Sequence, residues 1–213
     1  MTEMRPLLSF FAMLLAMLPP STATALAEAL GDARVGFSAE RVLIINGQNY
    51  TGKMWHMPGE QRHEQALPAI RPVFILHADS AVADAILPQL HTVVEFALPR
   101  ELSLLSAPDL LRKPLGAENV NGIATTEYEV DEDTPSGRAT GALWLSPDGI
   151  PMKCDAKFVE KSGKVSTIHW ELRHIKIGKQ DPALFEVPPG YAKLPVEAAA
   201  PLLGIRLRPA SAR

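Results

Sequence analysis

A single cysteine, Cys154, in 213 residues excludes any internal disulfide, so in an oxidising compartment stability must come from packing. There is no cysteine pair to hold zinc, and none lies near a leader cleavage point, as a lipoprotein anchor requires; Cys154 reads as core. Charged residues are balanced, 21 basic against 24 acidic for a net charge of −3, and no basic block occurs. That argues against a nucleic-acid or anionic-membrane surface. Nucleophile motifs, phosphate loops and dinucleotide fingerprints are also missing, so catalysis has no visible carrier.

What is present begins with an export signal. Met1 to Arg5 is weakly positive, Leu7 to Leu18 is apolar, and Pro19-Pro20 leads to small residues suited to cleavage after Ala25 or Ala27. The apolar run is short for a membrane anchor, which needs roughly 20 residues. The expected organisation is a cleaved signal peptide over residues 1–27, one β-rich domain over 28–194, and a Pro- and Ala-rich tail over 195–213. The tail reads as frayed, with a docking strand through Leu202, Leu203, Ile205 and Leu207 as the alternative.

Nineteen prolines disfavour long helices. Turn signals recur at Asn46-Gly47, Pro58-Gly59, Asn121-Gly122, Pro147-Asp148-Gly149 and Ser162-Gly163, spaced as in antiparallel hairpins. In Met152 to Glu160 apolar Met152, Cys154, Ala156 and Phe158 alternate with polar neighbours, and Ala139 to Ser146 precedes them as the other arm of a hairpin. Ile168, Trp170 and Leu172 alternate in one phase and Ile175 and Ile177 in the other, which a bulge near Arg173 or His174 reconciles. Further strands are expected at Phe37 to Ile45, Tyr50 to Met57, Arg62 to Leu67, Val73 to Ala78, Val94 to Leu98 and Ala124 to Asp131. Ala81 to Leu87 fits a helical turn or a strand. Clustered leucines in Arg100 to Ser106 and Asp109 to Lys113, split by Pro108, suggest short helices that cap a sheet.

Several groups have two readings. His56, His63, His77, His91, His169 and His174 could supply metal ligands from separate strands, but none is paired at helical i, i+4 spacing, and no metal site is assigned. Asp131, Glu132 and Asp133 form a solvated turn or a cation loop. The large side chains of the alternating strands either fill the interior or line a cavity.

The order Asn121-Gly122-x-x-Thr125-x-x-Tyr128, Leu143-Trp144-Leu145-x-x-Asp148-Gly149-Ile150-Pro151 and Phe185-Glu186-Val187-Pro188-Pro189-Gly190-Tyr191 resembles periplasmic proteins of the LolA/LolB-like superfamily. The resemblance implies an α+β fold: a curved antiparallel half-barrel sheet with short helices packed on or inside its concave face. It also implies a hydrophobic interior able to hold acyl chains. The expectation is a non-enzymatic periplasmic protein without a cofactor, binding a lipid or lipid-like hydrophobic molecule. Phe96, Trp144, Met152, Phe158, Trp170 and Leu172 are the candidate lining residues. No nucleic-acid partner and no stable membrane span after signal cleavage are expected. The alternative is a sensor or assembly module that binds another envelope protein through a sheet edge or the tail.

Overall fold

The computed structural model describes residues 32–66, 71–78, 80–97, 114–134 and 137–199. Its strands are β1 (Phe37–Ile45), β2 (Gln48–Met57), β3 (Glu60–Gln65), β4 (Val73–His77), β5 (Val82–Leu87), β6 (Thr92–Ala97), β7 (Pro114–Val120), β8 (Ile123–Thr134), β9 (Gly137–Leu145), β10 (Pro151–Glu160), β11 (Val165–Ile177) and β12 (Ala192–Lys193). All twelve join one unclosed sheet in the order β12-β6-β5-β4-β3-β2-β1-β11-β10-β9-β8-β7. Two meanders, β1 to β6 and β7 to β11, meet where β11 pairs antiparallel with β1. Only the two-residue β12 runs parallel to its neighbour.

Local chemistry explains the hairpins. At Asn46-Gly47 and Asn121-Gly122 both residues have positive φ, the conformation that matches a tight turn to the twist of its strands. At the β9–β10 turn Gly149 N–H donates to the Ser146 carbonyl and Ile150 N–H to Ser146 Oγ. The expected re-phasing of β11 is present. Its register with β1 passes from Ser38↔Lys176 to Glu40↔Arg173, giving β11 one extra residue, and His174 sits at φ 50°.

The sheet curls. Asn121 Nδ2, at the β7–β8 turn, donates to the Leu172 carbonyl at 2.8 Å. β8 and β11 are three steps apart in the strand order, about 14 Å across a flat sheet, so only a bent surface brings these atoms together. Gly141 assists on β9, because a Cβ there would lie 2.0 Å from the Asp155 carbonyl oxygen of β10.

Some expectations change. Of Ala81 to Leu87, Val82–Leu87 resolves as strand β5, while β7 and β12 carried no pattern that marked them. β7 is exposed from Pro114 to Asn119 and needs no apolar alternation. In the apolar run Val42 to Ile45, the first three residues are only partly buried and Ile45 is buried. Helix among the described residues is limited to two 3-10 turns, Pro88–Leu90 and Pro182–Phe185, and the single turn α1 (Val196–Ala199). The short helices expected over Arg100–Ser106 and Asp109–Lys113, the signal peptide and most of the tail lie outside the described residues.

Among the described residues three clusters hold the sheet. The largest gathers Phe37, Met54, Leu143, Ile150, Met152, Cys154, Trp170 and Leu172. A second, on the opposite face of β4 to β6, packs Val73, Ile75, Ile86 and Val93 beneath Phe185, with Trp55, Leu184 and Tyr191 around it. Arg62 Nη1 ties this cover down by donating to the Leu184 carbonyl at 2.9 Å. The chain then crosses the rim as β12, and Leu194 and Val196 join Ala85, Leu87 and Val94 on the other side.

Candidate functional site

Cross-strand partners share a face, so the register identifies what each side of the sheet presents. One row runs Tyr50, Leu43, Trp170, Cys154, Leu143, Tyr128 across six strands. The next row is Ile45, Ile168, Ala156, Gly141 and Val130. Along these two rows the face is apolar over β8 to β11 and β1. Leu43, Tyr128, Ala156 and Ile168 are only partly buried against the cluster beneath them.

The other side is charged. It carries Lys153, Asp155, His169, Glu171 and Glu127 on the same strands. Arg138 Nε and Nη2 each donate to Asp131 at 2.8 Å, and His169 pairs with Asp155. Trp144 lies on this charged side with the Lys153 ammonium 3.9 Å from its ring centroid.

The register therefore separates the candidate lining residues. Phe158, Trp170 and Leu172 share the apolar face, and Phe96 lies farther along it in the cluster of Ala85, Leu87 and Val94. Met152, fully buried, falls at the register shift between Pro151 and Lys153, and Trp144 points to the opposite side.

A polar group interrupts the apolar face. In β1 the positions Phe37, Ala39, Arg41, Leu43 and Ile45 share one phase, and Arg41 is the one charge among them. Its ladder neighbours are Leu172, fully buried, and Gly52. Gly52 has no side chain, and a Cβ there would meet the Glu64 carbonyl oxygen at 2.4 Å and Gln65 Oε1 at 3.2 Å. The arginine reaches across this gap to β3, where Nη2 donates to Gln65 Oε1 at 2.9 Å and Nη1 to His63 Nδ1 at 3.0 Å. An acceptor Nδ1 fixes His63 as the neutral tautomer with its proton on Nε2, which donates to Gln61 Oε1 at 3.1 Å. Gln65 Nε2 donates to the Thr51 carbonyl. Arg41 Nε is buried without a partner.

Among the described residues, the hydrogen-bond partners of this guanidinium are neutral. Burial pushes Arg41 down to about 10. The His63 imidazole is held well below its ordinary value, by burial first and then by the charges of Arg41 and His56. Nearby His56, stacked on Phe37, is held by Asp32 at 2.6 Å and the Val35 carbonyl.

Sequence reasoning had Arg41, His63 and Gln65 in plain view and did not assemble them. The available signal was the phase of β1, which sets an arginine among apolar positions. Cys154 offers no nucleophile, since burial, with Asp155 adding to it, pushes its thiol up to about 12. Among the described residues no group of three His, Cys, Asp or Glu side chains is placed to hold a metal ion, and no helix is long and apolar enough to cross a membrane. The arrangement offers apolar surface beside a buried positive charge.

No family model and no curated protein matches the chain. Solved structures do. An uncharacterised conserved protein from Thermus thermophilus aligns with TM-score 0.51 and 11% identity, over 76% of this chain and 91% of that one. The complex of Pseudomonas aeruginosa MucA and MucB aligns at 0.46 and 16% identity, over 72% of this chain and 56% of the matched one, so the chain spans little more than half of that protein's length. A LolA superfamily protein from Nitrosomonas europaea aligns at 0.40 and 11% identity, over 75% and 94%. One of these neighbours is a member of the superfamily whose motifs the sequence resembles; at 11% identity the alignment with the Thermus protein speaks to the fold alone.

Proposed function

We propose that this chain is a non-enzymatic periplasmic protein that binds a lipid or lipid-like molecule on the apolar face of its open sheet. The half-barrel with a helical lid over that face belongs to the same proposal. The observation that carries it is the contrast between the two sides of β8 to β11 and the adjoining β1: one side is salt-bridged, while the other presents partly uncovered Leu43, Tyr128, Ala156 and Ile168 around a buried core. Covering such a surface is favourable at about 25 cal/mol per Å², and about eight methylenes of an acyl chain laid on it contribute roughly 6 kcal/mol before the cost of association. Periplasm-purified protein, examined by native mass spectrometry and organic extraction, should release a hydrophobe near one equivalent. Protein that is fully folded and lipid-free, and that takes up none from vesicles, would refute the reading.

A second reading rests on β7. Its residues Pro114 to Asn119 are exposed at the end of the strand order, the place where a polypeptide from another envelope protein can add as a further strand. Capture of one extended peptide by the lipid-free protein, blocked by a proline in β7, supports that reading over the first.

A further inference from the structure

We infer that Arg41 is the receptor for an oxyanion, the carboxylate or phosphate head of an amphiphile whose chain lies on the adjoining apolar face. The inference rests on the lipid-binding reading and adds the chemistry of the head.

A guanidinium on an apolar sheet face costs free energy unless something compensates its charge. Among the described residues nothing with a negative charge does: Arg41 bonds to an imidazole and an amide, and its Nε has no partner. The nearby acids are otherwise engaged. Glu64 pairs with Arg62 at 2.8 Å on the other side of the sheet, and Asp32 is held by His56 and the Gly59 N–H.

The surroundings hold the arginine in place rather than neutralise it. Gln65, anchored on the Thr51 carbonyl, and His63, anchored on Gln61, each take one donor, and bare Gly52 leaves the path between strands open. A guanidinium has five donors in a planar fork, so an oxyanion can be accepted in bidentate fashion while both bonds persist. Arg41 is half-buried as a residue, and its Nε is buried without a partner, so the unused edge of the fork is desolvated and uncompensated. Ladder neighbour Leu172 and the adjacent Leu43 and Trp170 begin the apolar rows. A head bound at Arg41 therefore places its chain toward the partly uncovered Leu43, Ile168 and Ala156 of those rows.

The test compares hexadecanoate, hexadecyl phosphate, hexadecanol and inorganic phosphate, each titrated into delipidated full-length mature protein below micelle-forming concentrations. Tighter binding of an anionic amphiphile than of the alcohol, by tenfold or more, with the difference lost in Arg41→Met and the alcohol unaffected, supports the assignment. Arg41→Lys, which keeps the charge but not the fork, should retain part of the preference. If Arg41→Met does not fold, Arg41→Gln replaces it. In the unaltered protein, displacement of the Arg41 Nε–H resonance by hexadecanoate but not by hexadecanol reports the contact directly. Equal binding of the acid, phosphate and alcohol overturns the head-group site and leaves the apolar-face reading standing. Arg41-dependent binding of inorganic phosphate without any amphiphile overturns both in favour of a free-anion site. Binding of none of the four overturns both outright.

Discussion

Replacing Arg41 by Met should stabilise the ligand-free fold, against the usual sign for a substitution in a packed region. Burial depresses the guanidinium to about 10. At about 1.4 kcal/mol per tenfold change in acidity, that corresponds to a penalty of about 3 kcal/mol, an upper bound because part of the side chain meets solvent. Against it stand the two bonds to His63 and Gln65, each worth about 1 kcal/mol net. The balance is a gain of at most about 1 kcal/mol, read at pH 7 by urea unfolding and as a rise of no more than about 2–4 °C in Tm. The sign of the pH dependence follows from the depressed value. Between about pH 10 and the higher value of the unfolded chain, the folded state binds fewer protons, so Arg41 makes stability increase with pH there. Arg41→Met should lack that increment relative to the parent protein. A loss of 1 kcal/mol or more would refute the reasoning, because it would mean that an acid compensates Arg41.

Gly141→Ala should cost more than about 2 kcal/mol in urea unfolding, since the added Cβ would meet the β10 backbone, whereas Gly116→Ala, in open space, should stay within about 0.5 kcal/mol. Phe185→Ala should cost about 3–5 kcal/mol by removing the cover of Val73, Ile75, Ile86 and Val93. His63 is held neutral in the fold, so the unfolded chain gains a proton first as pH falls below about 6.5, and stability should fall with it. His63→Gln should flatten that acid slope in a series of unfolding curves. Cys154 should resist a thiol reagent at about pH 8 in the native protein and react fully in denaturant; rapid native labelling would contradict its burial.

Alternation and turn residues made most of the sheet readable in sequence. The β9–β10 hairpin declared itself through alternating Met152 to Phe158 and the Pro147-Asp148-Gly149 turn, and the change of phase after Leu172 located the β11 bulge. β7 carries no such pattern because its one buried residue, Val120, is at its end. The faces were harder to read. Trp144 looks like its neighbours Leu143 and Leu145 in a run buried throughout, and only the pairing with Lys153 and Glu127 assigns it to the charged side. The Arg41 group stayed hidden for a different reason: its members are 22 and 24 residues apart and meet only through the β1–β2–β3 register across Gly52.

The two rims of the sheet are unequal. At one end β12, Leu194 and Val196 fold over β6, while at the other β7 has no further strand beside it among the described residues. Strand-to-strand growth into a filament requires every copy to offer two sticky borders. With one border hemmed and one open among the described residues, edge pairing through β7 would join two copies and end there.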